Sequence, residues 1–150
     1  MTQEDVNVTT YVLPEDSMAL LVQVLPSTSP LVAAWSVLEN YEREGYLLEA
    51  VRRMEALNYV GQRAWYYQPL KFPRIARNHP VDFNYAPLEV KQAQVVWAVE
   101  LMKEELFIKR RNNAACIALG IISAEQSTTE EVPKLVRSLL HRWLTSFRRV

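Results

Sequence analysis

The side chains that most often carry catalysis are sparse in this sequence of 150 residues. His79 lies in a proline-bordered segment and His141 lies near the C-terminal end, and neither has a second histidine or a cysteine at ligand spacing. His79 and Asp82 could supply the base and the orienting acid of a catalytic triad, but no nucleophile motif accompanies them. We therefore predict no catalytic residue and no metal site, and we interpret His79 and Asp82 as a solvated loop pair.

Glycine and cysteine usage excludes further kinds of site. Gly45, Gly61 and Gly120 are the three glycines, and they lie too far apart to form a phosphate-binding loop. Cys116 is the one cysteine, so the chain can form neither an intrachain disulfide nor a zinc site built from cysteines. The sequence predicts a protein that is not an enzyme and needs no cofactor.

One segment mixes aromatic and basic side chains in the way that single-strand-binding surfaces do. Aromatic rings stack on bases while cations neutralise phosphates. The alternative is that these rings pack beneath a proline-rich arm or into a neighbouring protein, since aromatic and arginine side chains are also enriched at protein interfaces. The residues concerned are Arg63, Trp65, Tyr66, Tyr67, Lys71, Phe72, Arg74 and Arg77.

Charge is balanced over the whole chain but unevenly distributed along it. The formal net charge is zero, yet residues 1–50 hold eight acidic groups and one basic group, whereas residues 101–150 hold nine basic and five acidic groups. A neutral total does not favour indiscriminate binding of nucleic acid. An acidic front and a basic rear suit head-to-tail contact between identical subunits, although scattered surface charge is an equally simple explanation.

Four helices are predicted from proline, capping and periodicity signals. Pro14, followed by two acids, begins a short helix that runs to about Val24. Ser36 and Glu39 have capping-box spacing and begin a longer helix that ends near Gly61. The apolar positions of this second helix are Leu38, Tyr41, Leu48, Val51, Met54 and Leu57.

The third helix is predicted to begin at Pro87 and to end near Ile108. Its core stripe consists of Val90, Ala93, Trp97, Leu101 and Leu106. Residues 109–113 form a polar break, and residues 114–122 are interpreted as a strand or an extended arm.

The last helix follows Pro133 and is the most amphipathic part of the chain. Burial of its apolar side chains would contribute on the order of 10 to 20 kcal/mol before ordering costs, so this face must be covered either by the upstream helices or by a partner. The apolar residues are Leu135, Val136, Leu139, Leu140, Trp143, Leu144 and Phe147.

Together these patterns predict an all-α fold, a small helical bundle with a long ordered loop over residues 61–86, an extended arm and a C-terminal amphipathic helix. The expected divisions are a helical core over residues 1–108, an arm or linker over 109–130 and a docking helix over 131–150. No signal peptide or run of about eighteen apolar residues is present, so we expect a soluble protein without a membrane partner.

Several segments, taken in order, resemble the adaptor or head-completion proteins of long-tailed phages, a family also described as DnaT-like single-stranded-DNA-binding proteins. The segment from Gln68 to Arg74 keeps every position of the family's loop pattern. Ile75 departs from it, because many relatives place a glycine there, and the chain after Leu106 matches only loosely. The resembling segments are Tyr11–Val12, Leu48–Ala50, Met54–Leu57, Tyr59–Arg63, Gln68–Arg74 and Pro87–Ala93.

The resemblance implies a structural protein of the virion, assembled in the host cytoplasm. Such proteins form a ring, usually a dodecamer, that joins the portal protein to a tail-completion or tail terminator protein. The ring continues the DNA channel, and DNA passes through its lumen without sequence-specific binding. The alternative is a single-stranded-DNA-binding accessory protein.

Three sets of residues are candidates for these roles. The apolar residues of the last helix, from Leu135 to Phe147, are the candidate portal-docking surface. Glu15 and Asp16 are candidates for the channel wall or the subunit interface, because a negative lumen would not hold passing DNA. The candidate loop anchor or subunit contact consists of Gln68, Leu70, Phe72, Pro73 and Arg74. Proline fixes φ and favours an extended residue before it, so the loop can direct Leu70 and Phe72 inward.

Overall fold

The computed structural model describes residues 10–65, 68–75, 86–117 and 132–145, with the backbone alone for 107–117. The described chain is mostly helical and has one hairpin of two-residue strands. The predicted all-α fold is confirmed. No described helix is both long and apolar enough to cross a membrane.

Two short helices open the described chain. A 3₁₀ turn over Pro14–Asp16 leads directly into α1, Ser17–Val24, as the proline and acids predicted. The next helix, α2 (Pro30–Ser36), is not among the helices predicted from the sequence. Its start has an ordinary signal, since Ser29 caps Leu31 N–H through Oγ at 3.3 Å and Pro30 occupies the first helical position.

The second of the four predicted helices corresponds to α3 and begins later than predicted. α3 spans Asn40–Glu55, and its capping box is formed by Glu39 and Glu42 rather than by Ser36 and Glu39. The Glu42 carboxylate accepts the Glu39 N–H at 3.0 Å. Ser36 instead belongs to the end of α2, where its hydroxyl donates to the Ala33 carbonyl at 2.6 Å.

The buried face of α3 is also rotated from the predicted one. Leu47, Ala50, Val51 and Met54 are buried, at spacings of three, one and three residues. Tyr41, which was assigned to the core stripe, is 72% exposed. The predicted stripe mixed two faces of the helix.

The central element is α4, Leu88–Ile117, which extends nine residues beyond the predicted end at Ile108. Lysine and arginine are good helix formers, and an asparagine costs at most about 0.7 kcal/mol, so the polar segment 109–113 does not end the helix. The prediction of a break and then a strand is therefore wrong through Ile117. The remainder of the predicted arm, residues 118–130, lies outside the described residues.

Helices α1, α2, α3 and α5 pack around α4. Val90, Ala93, Trp97 and Leu101 are buried as predicted, whereas Leu106 is 41% exposed. Side chains 93–99 are buried on every side of α4, which explains why no single stripe describes this helix. A helix that is apolar all round belongs at the centre of a bundle.

Gln94 is buried within this core and has its hydrogen bonds satisfied. Its amide nitrogen donates to Leu47 O at 3.0 Å and to Thr10 Oγ1 at 2.6 Å, and its oxygen accepts Tyr11 N–H at 3.1 Å. A buried amide without partners would cost about 1–3 kcal/mol. Gln94 therefore fixes the N-terminal segment against both α3 and α4.

The last helix, α5 (Lys134–Leu140), is shorter than predicted and packs on the same core. After it the chain turns back and pairs with the segment that follows α3, through an isolated bridge between Tyr59 and Leu144. Val60 N–H donates to Trp143 O at 2.7 Å, and Thr145 N–H donates to Asn58 O at 3.2 Å. The C-terminal segment is thus joined to the rest of the chain by backbone hydrogen bonds as well as by packing.

Candidate functional site

The candidate loop is closed by a small hairpin. Strands β1 (Gln62–Arg63) and β2 (Arg74–Ile75) pair antiparallel. Within the loop, the Gln68 amide nitrogen donates to Leu70 O at 2.7 Å and to Pro73 O at 2.9 Å, while its oxygen accepts Trp65 N–H at 3.0 Å. Gln68 thereby supplies partners to backbone groups that no regular structure satisfies.

Phe72 is the hydrophobic anchor of the loop and is only 4% exposed. Its ring makes edge contacts with Tyr59 at 4.8 Å, Trp143 at 5.2 Å and Tyr11 at 6.1 Å between centroids. The peptide bond that follows it, to Pro73, is cis. Edge-to-face packing of this kind stabilises a core beyond the area it buries. We call these four residues the aromatic anchor.

Arg74 is directed at backbone carbonyl groups. Its guanidinium donates to Val60 O at 3.0 Å, Gly61 O at 2.7 Å and Lys71 O at 3.3 Å. Burial, with the positive charge of Arg63 nearby, lowers the pKa of Arg74 from its ordinary value. The donors of this cation are used to hold the two sides of the loop together.

A carboxylate at the end of α3 joins the loop to the N-terminal segment. Glu55 accepts the Tyr11 hydroxyl proton through one oxygen and Lys71 N–H, at 2.9 Å, through the other. The Tyr11 oxygen accepts Phe72 N–H at 3.2 Å. Burial, and then the Glu55 charge, raises the pKa of Tyr11 far above its usual value, so this phenol remains a neutral donor.

These contacts decide which parts of the aromatic and basic segment remain accessible. Phe72 is buried, and the Lys71 ammonium donates to Leu57 O at 2.8 Å. Trp65 is 45% exposed and Arg63 is exposed, so both are presented at the surface of the hairpin. The other members of the segment lie outside the described residues: Tyr66, Tyr67 and Arg77.

The apolar residues of the C-terminal helix are largely used within the chain itself. Val136, Leu140 and Trp143 are at most 1% exposed, and Leu135 is the accessible one at 37%. Trp143 also donates its indole N–H to Glu89 at 2.9 Å. Leu139 and Leu144 are partly buried against the same core, and Phe147 lies outside the described residues. Portal docking through the three buried side chains would require them to leave this core.

The remaining candidates, Glu15 and Asp16, lie on the 3₁₀ turn, and both are exposed. Among the described residues, no group of three or more histidine, cysteine, aspartate or glutamate side chains is placed to hold a metal ion.

A second site was not found from the sequence. An open groove of about 810 Å³ runs between the α2–α3 segment and the later part of α4. We call it the α3–α4 groove. Val37 and Tyr41 are 79% and 72% exposed, the highest values among the large apolar side chains that the structure describes. The lining residues are Ala34, Val37, Leu38, Tyr41, Glu42, Gly45, Tyr46, Glu49, Arg53, Leu101, Met102, Glu104, Glu105 and Leu106.

The groove is acidic as well as apolar, with four glutamates and one arginine in its lining. Tyr46 donates its hydroxyl proton to Glu105 at 2.6 Å, and burial together with this carboxylate raises the pKa of Tyr46 to about 12. Hydrogen bonds from Arg52 and Arg53 lower the pKa of Glu49 to about 2. Glu49 is therefore charged at neutral pH, and it is paired with both arginines.

The fold and these two regions define a class of protein: a small helical domain around one buried helix, with an internally bonded loop and an open acidic groove. Residues 15–148 match the family described as "Putative DnaT-like ssDNA binding protein", and the chain belongs to this family. No curated protein and no solved structure matches the chain significantly. The resemblance is thus confirmed for the DnaT-like family, and the match does not address the phage connector.

Proposed function

We propose that this chain is a non-enzymatic structural adaptor of a phage head-tail connector, forming a ring that joins the portal to the tail and continues the DNA channel. The observation that carries the proposal is the internal use of the family's loop. Gln68, Phe72 and Arg74 bond and pack within the chain, so these three side chains brace the loop and do not form a base-stacking surface.

Charge supports the same function. The exposed apolar surface of the groove is bordered by glutamates, and such a surface repels phosphates while it can receive a protein. Glu15 and Asp16 are exposed on their turn, which suits either a channel wall that does not retain DNA or a subunit interface. The proposed partners are further copies of the chain, the portal, and a tail-completion or terminator protein in the virion.

The portal-docking surface that we propose is smaller than the whole C-terminal helix. Val136, Leu140 and Trp143 belong to the core, so deleting the helix would unfold the domain rather than only remove a docking surface. Leu135 is the described apolar side chain of α5 that a portal could contact. Leu135→Asp is the appropriate variant to test docking.

A second function, single-stranded-DNA binding, is favoured by the description of the matched family. That description names single-stranded DNA and not a connector, so by itself the family match supports this alternative better. Two exposed residues of the hairpin segment, Arg63 and Trp65, are suited to it as a cation and a stacking ring.

Electron microscopy of the purified full chain mixed with the portal protein of its phage tests the adaptor proposal. We expect rings stacked on one face of the portal. Images in which the portal remains bare at saturating concentrations of the chain would contradict the proposal. Leu135→Asp should weaken stacking without changing the helical circular dichroism spectrum.

A mobility shift with a labelled single-stranded oligonucleotide tests the alternative. For a single-strand binder, the logarithm of the binding constant falls with the logarithm of the salt concentration, with a slope of about −0.7 for each neutralised phosphate. An adaptor should bind weakly at physiological salt. Tight binding that is lost in Arg63→Ala and Trp65→Ala, and retained in the neighbouring Ile75→Ala control, would replace the adaptor by the second function.

A further inference from the structure

The α3–α4 groove has apolar surface that no other part of the described chain covers. Val37, Tyr41 and Leu106 are 79%, 72% and 41% exposed, and all three line the groove. Contiguous apolar surface with a polar rim marks a protein interaction site. Because its charged rim is dominated by glutamates, the groove favours a partner surface with basic side chains.

A surface of this character lies on α5 of the same chain. Lys134, Arg137 and His141 are exposed and, with Ser138, surround a shallow depression on the outer side of the helix. Neither Lys134 nor Arg137 has an ion-pair partner among the described residues. Leu135 is 37% exposed on the same helix. We call this surface the basic α5 face.

The two surfaces lie toward opposite ends of α4. The segment that follows α5 contacts the start of α4, where Glu89 accepts the Trp143 indole N–H and pairs with Arg142 at 3.3 Å. The groove reaches Glu105 and Leu106. At a rise of 1.5 Å per residue, Glu89 and Glu105 are about 24 Å apart along the helix. The groove and the basic α5 face therefore cannot pair within one chain.

Gly45 gives an independent indication of a close neighbour in the groove. It lies within α3, where glycine costs about 1 kcal/mol relative to alanine. A Cβ atom built there meets nothing within 4 Å, so no contact with another described residue requires glycine. Glycine in such a place allows another backbone or side chain to approach closely.

We propose that the α3–α4 groove of one chain receives the basic α5 face of the next, in a head-to-tail contact between identical subunits. This inference rests on the proposed function, because it assigns the surfaces through which the ring would form. The contact is heterologous, so a pair of chains keeps one free groove and one free α5 face, and repeated addition closes into a ring or continues as a filament.

Cysteine trapping tests the arrangement. In a Cys116→Ser background, one variant carries Val37→Cys and another carries Ser138→Cys, on the groove and on the α5 face respectively. Under mild oxidation we expect disulfide dimers only when the two variants are mixed. A chain that carries both substitutions should give a ladder of oligomers on non-reducing gels.

Other patterns would overturn the inference. Dimers of Val37→Cys alone that do not extend to higher species would indicate a symmetric groove-to-groove contact. Rings seen by microscopy without any trapped product would leave the proposed function standing and reject these two surfaces. A double variant that remains monomeric by sedimentation and gives neither rings nor trapped product would reject both.

Charge exchange provides the second measurement. Glu104→Arg and Arg137→Glu should each reduce the trapped yield at least several-fold, and mixing chains that place the two new charges opposite each other should restore it. Glu44→Arg is the matched control, since Glu44 is exposed on α3 but does not line the groove. Equal losses for Glu44→Arg and Glu104→Arg would reject a specific role for the groove.

Discussion

The aromatic anchor and the α3–α4 groove use similar side chains for opposite purposes. In the anchor, the Tyr11 hydroxyl is bonded to Glu55 and its ring lies against Phe72, within a region that is nearly closed to solvent. In the groove, Tyr46 is bonded to Glu105, but the neighbouring Tyr41 is 72% exposed. A tyrosine beside a glutamate therefore does not identify a binding surface. The distinction lies in whether the chain itself covers the apolar atoms around the pair.

The largest effect should come from emptying the anchor. Phe72→Ala removes a ring that contacts three other aromatic residues, so we expect a loss of about 3–5 kcal/mol in the free energy of unfolding. Urea denaturation followed by tryptophan fluorescence measures it. Ile75→Ala, at a site 38% exposed, is the control and should change stability by less than about 0.5 kcal/mol. Equal effects would mean that the loop is not an internal brace.

Removing the Glu55 carboxylate, which bonds to Tyr11 of the aromatic anchor, should have the next largest effect. Glu55→Gln keeps the size of the side chain but turns an amide N–H₂ toward a group that donates, either Lys71 N–H or the Tyr11 hydroxyl. We expect a loss of about 1–3 kcal/mol by denaturation. Glu44→Gln, on the exposed side of α3, should have almost none. If Glu55→Gln leaves the free energy of unfolding unchanged, the hydrogen bonds of this carboxylate do not stabilise the loop.

Gly45→Ala should raise the stability of the isolated chain and weaken the proposed contact between chains. Alanine favours the helix, and its Cβ meets open space, so the isolated chain should become more stable by up to about 1 kcal/mol. The head-to-tail contact should weaken at the same time, measured as a lower oligomer fraction in sedimentation. Greater stability with unchanged assembly would remove Gly45 from the proposed interface.

The smallest effect concerns Glu49 and acid. Its pKa of about 2 lies below the ordinary 4.5, so its stabilising contribution is complete above about pH 4.5 and is lost as the pH falls toward 2. The side chain is 38% exposed, and solvent screening should limit the contribution to less than about 1 kcal/mol. Denaturation of the wild type and of Glu49→Gln at pH 7 and pH 3 measures the difference. A contribution of Glu49 above about 1 kcal/mol at protein concentrations where the chains assemble would indicate that a neighbouring chain covers the groove.

The helix starts were partly predictable because proline and capping residues act locally. Pro14 and Pro87 precede helices as expected, and Ser29 with Pro30 is the same kind of local start signal before α2. The end of α4 was mispredicted, since a run of polar residues ends a helix only when it contains a strong breaker. The exposure of Leu106 depends on where the neighbouring helices stop, which no local pattern contains.

The candidate loop was predictable in residue choice but not in its contacts. Prolines on either side of the loop pointed to an anchor, and Phe72 does lie in the core. Its partners come from positions 11, 59 and 143, and the Arg74 acceptors are carbonyls, which a sequence does not reveal. The groove was not predictable from the sequence, because Tyr41 and Leu106 fit helical spacing as well as buried residues do.

The position of Phe72 between Tyr11 and Trp143 also determines when the domain can form during synthesis. The ring joins segments separated by 61 and 71 positions, so its pocket remains open until residue 143 has been translated. Contacts between distant segments also slow folding, because a long loop must close first. The aromatic anchor therefore stays incomplete until residue 143 leaves the ribosome, so the domain cannot reach its final packing before that point.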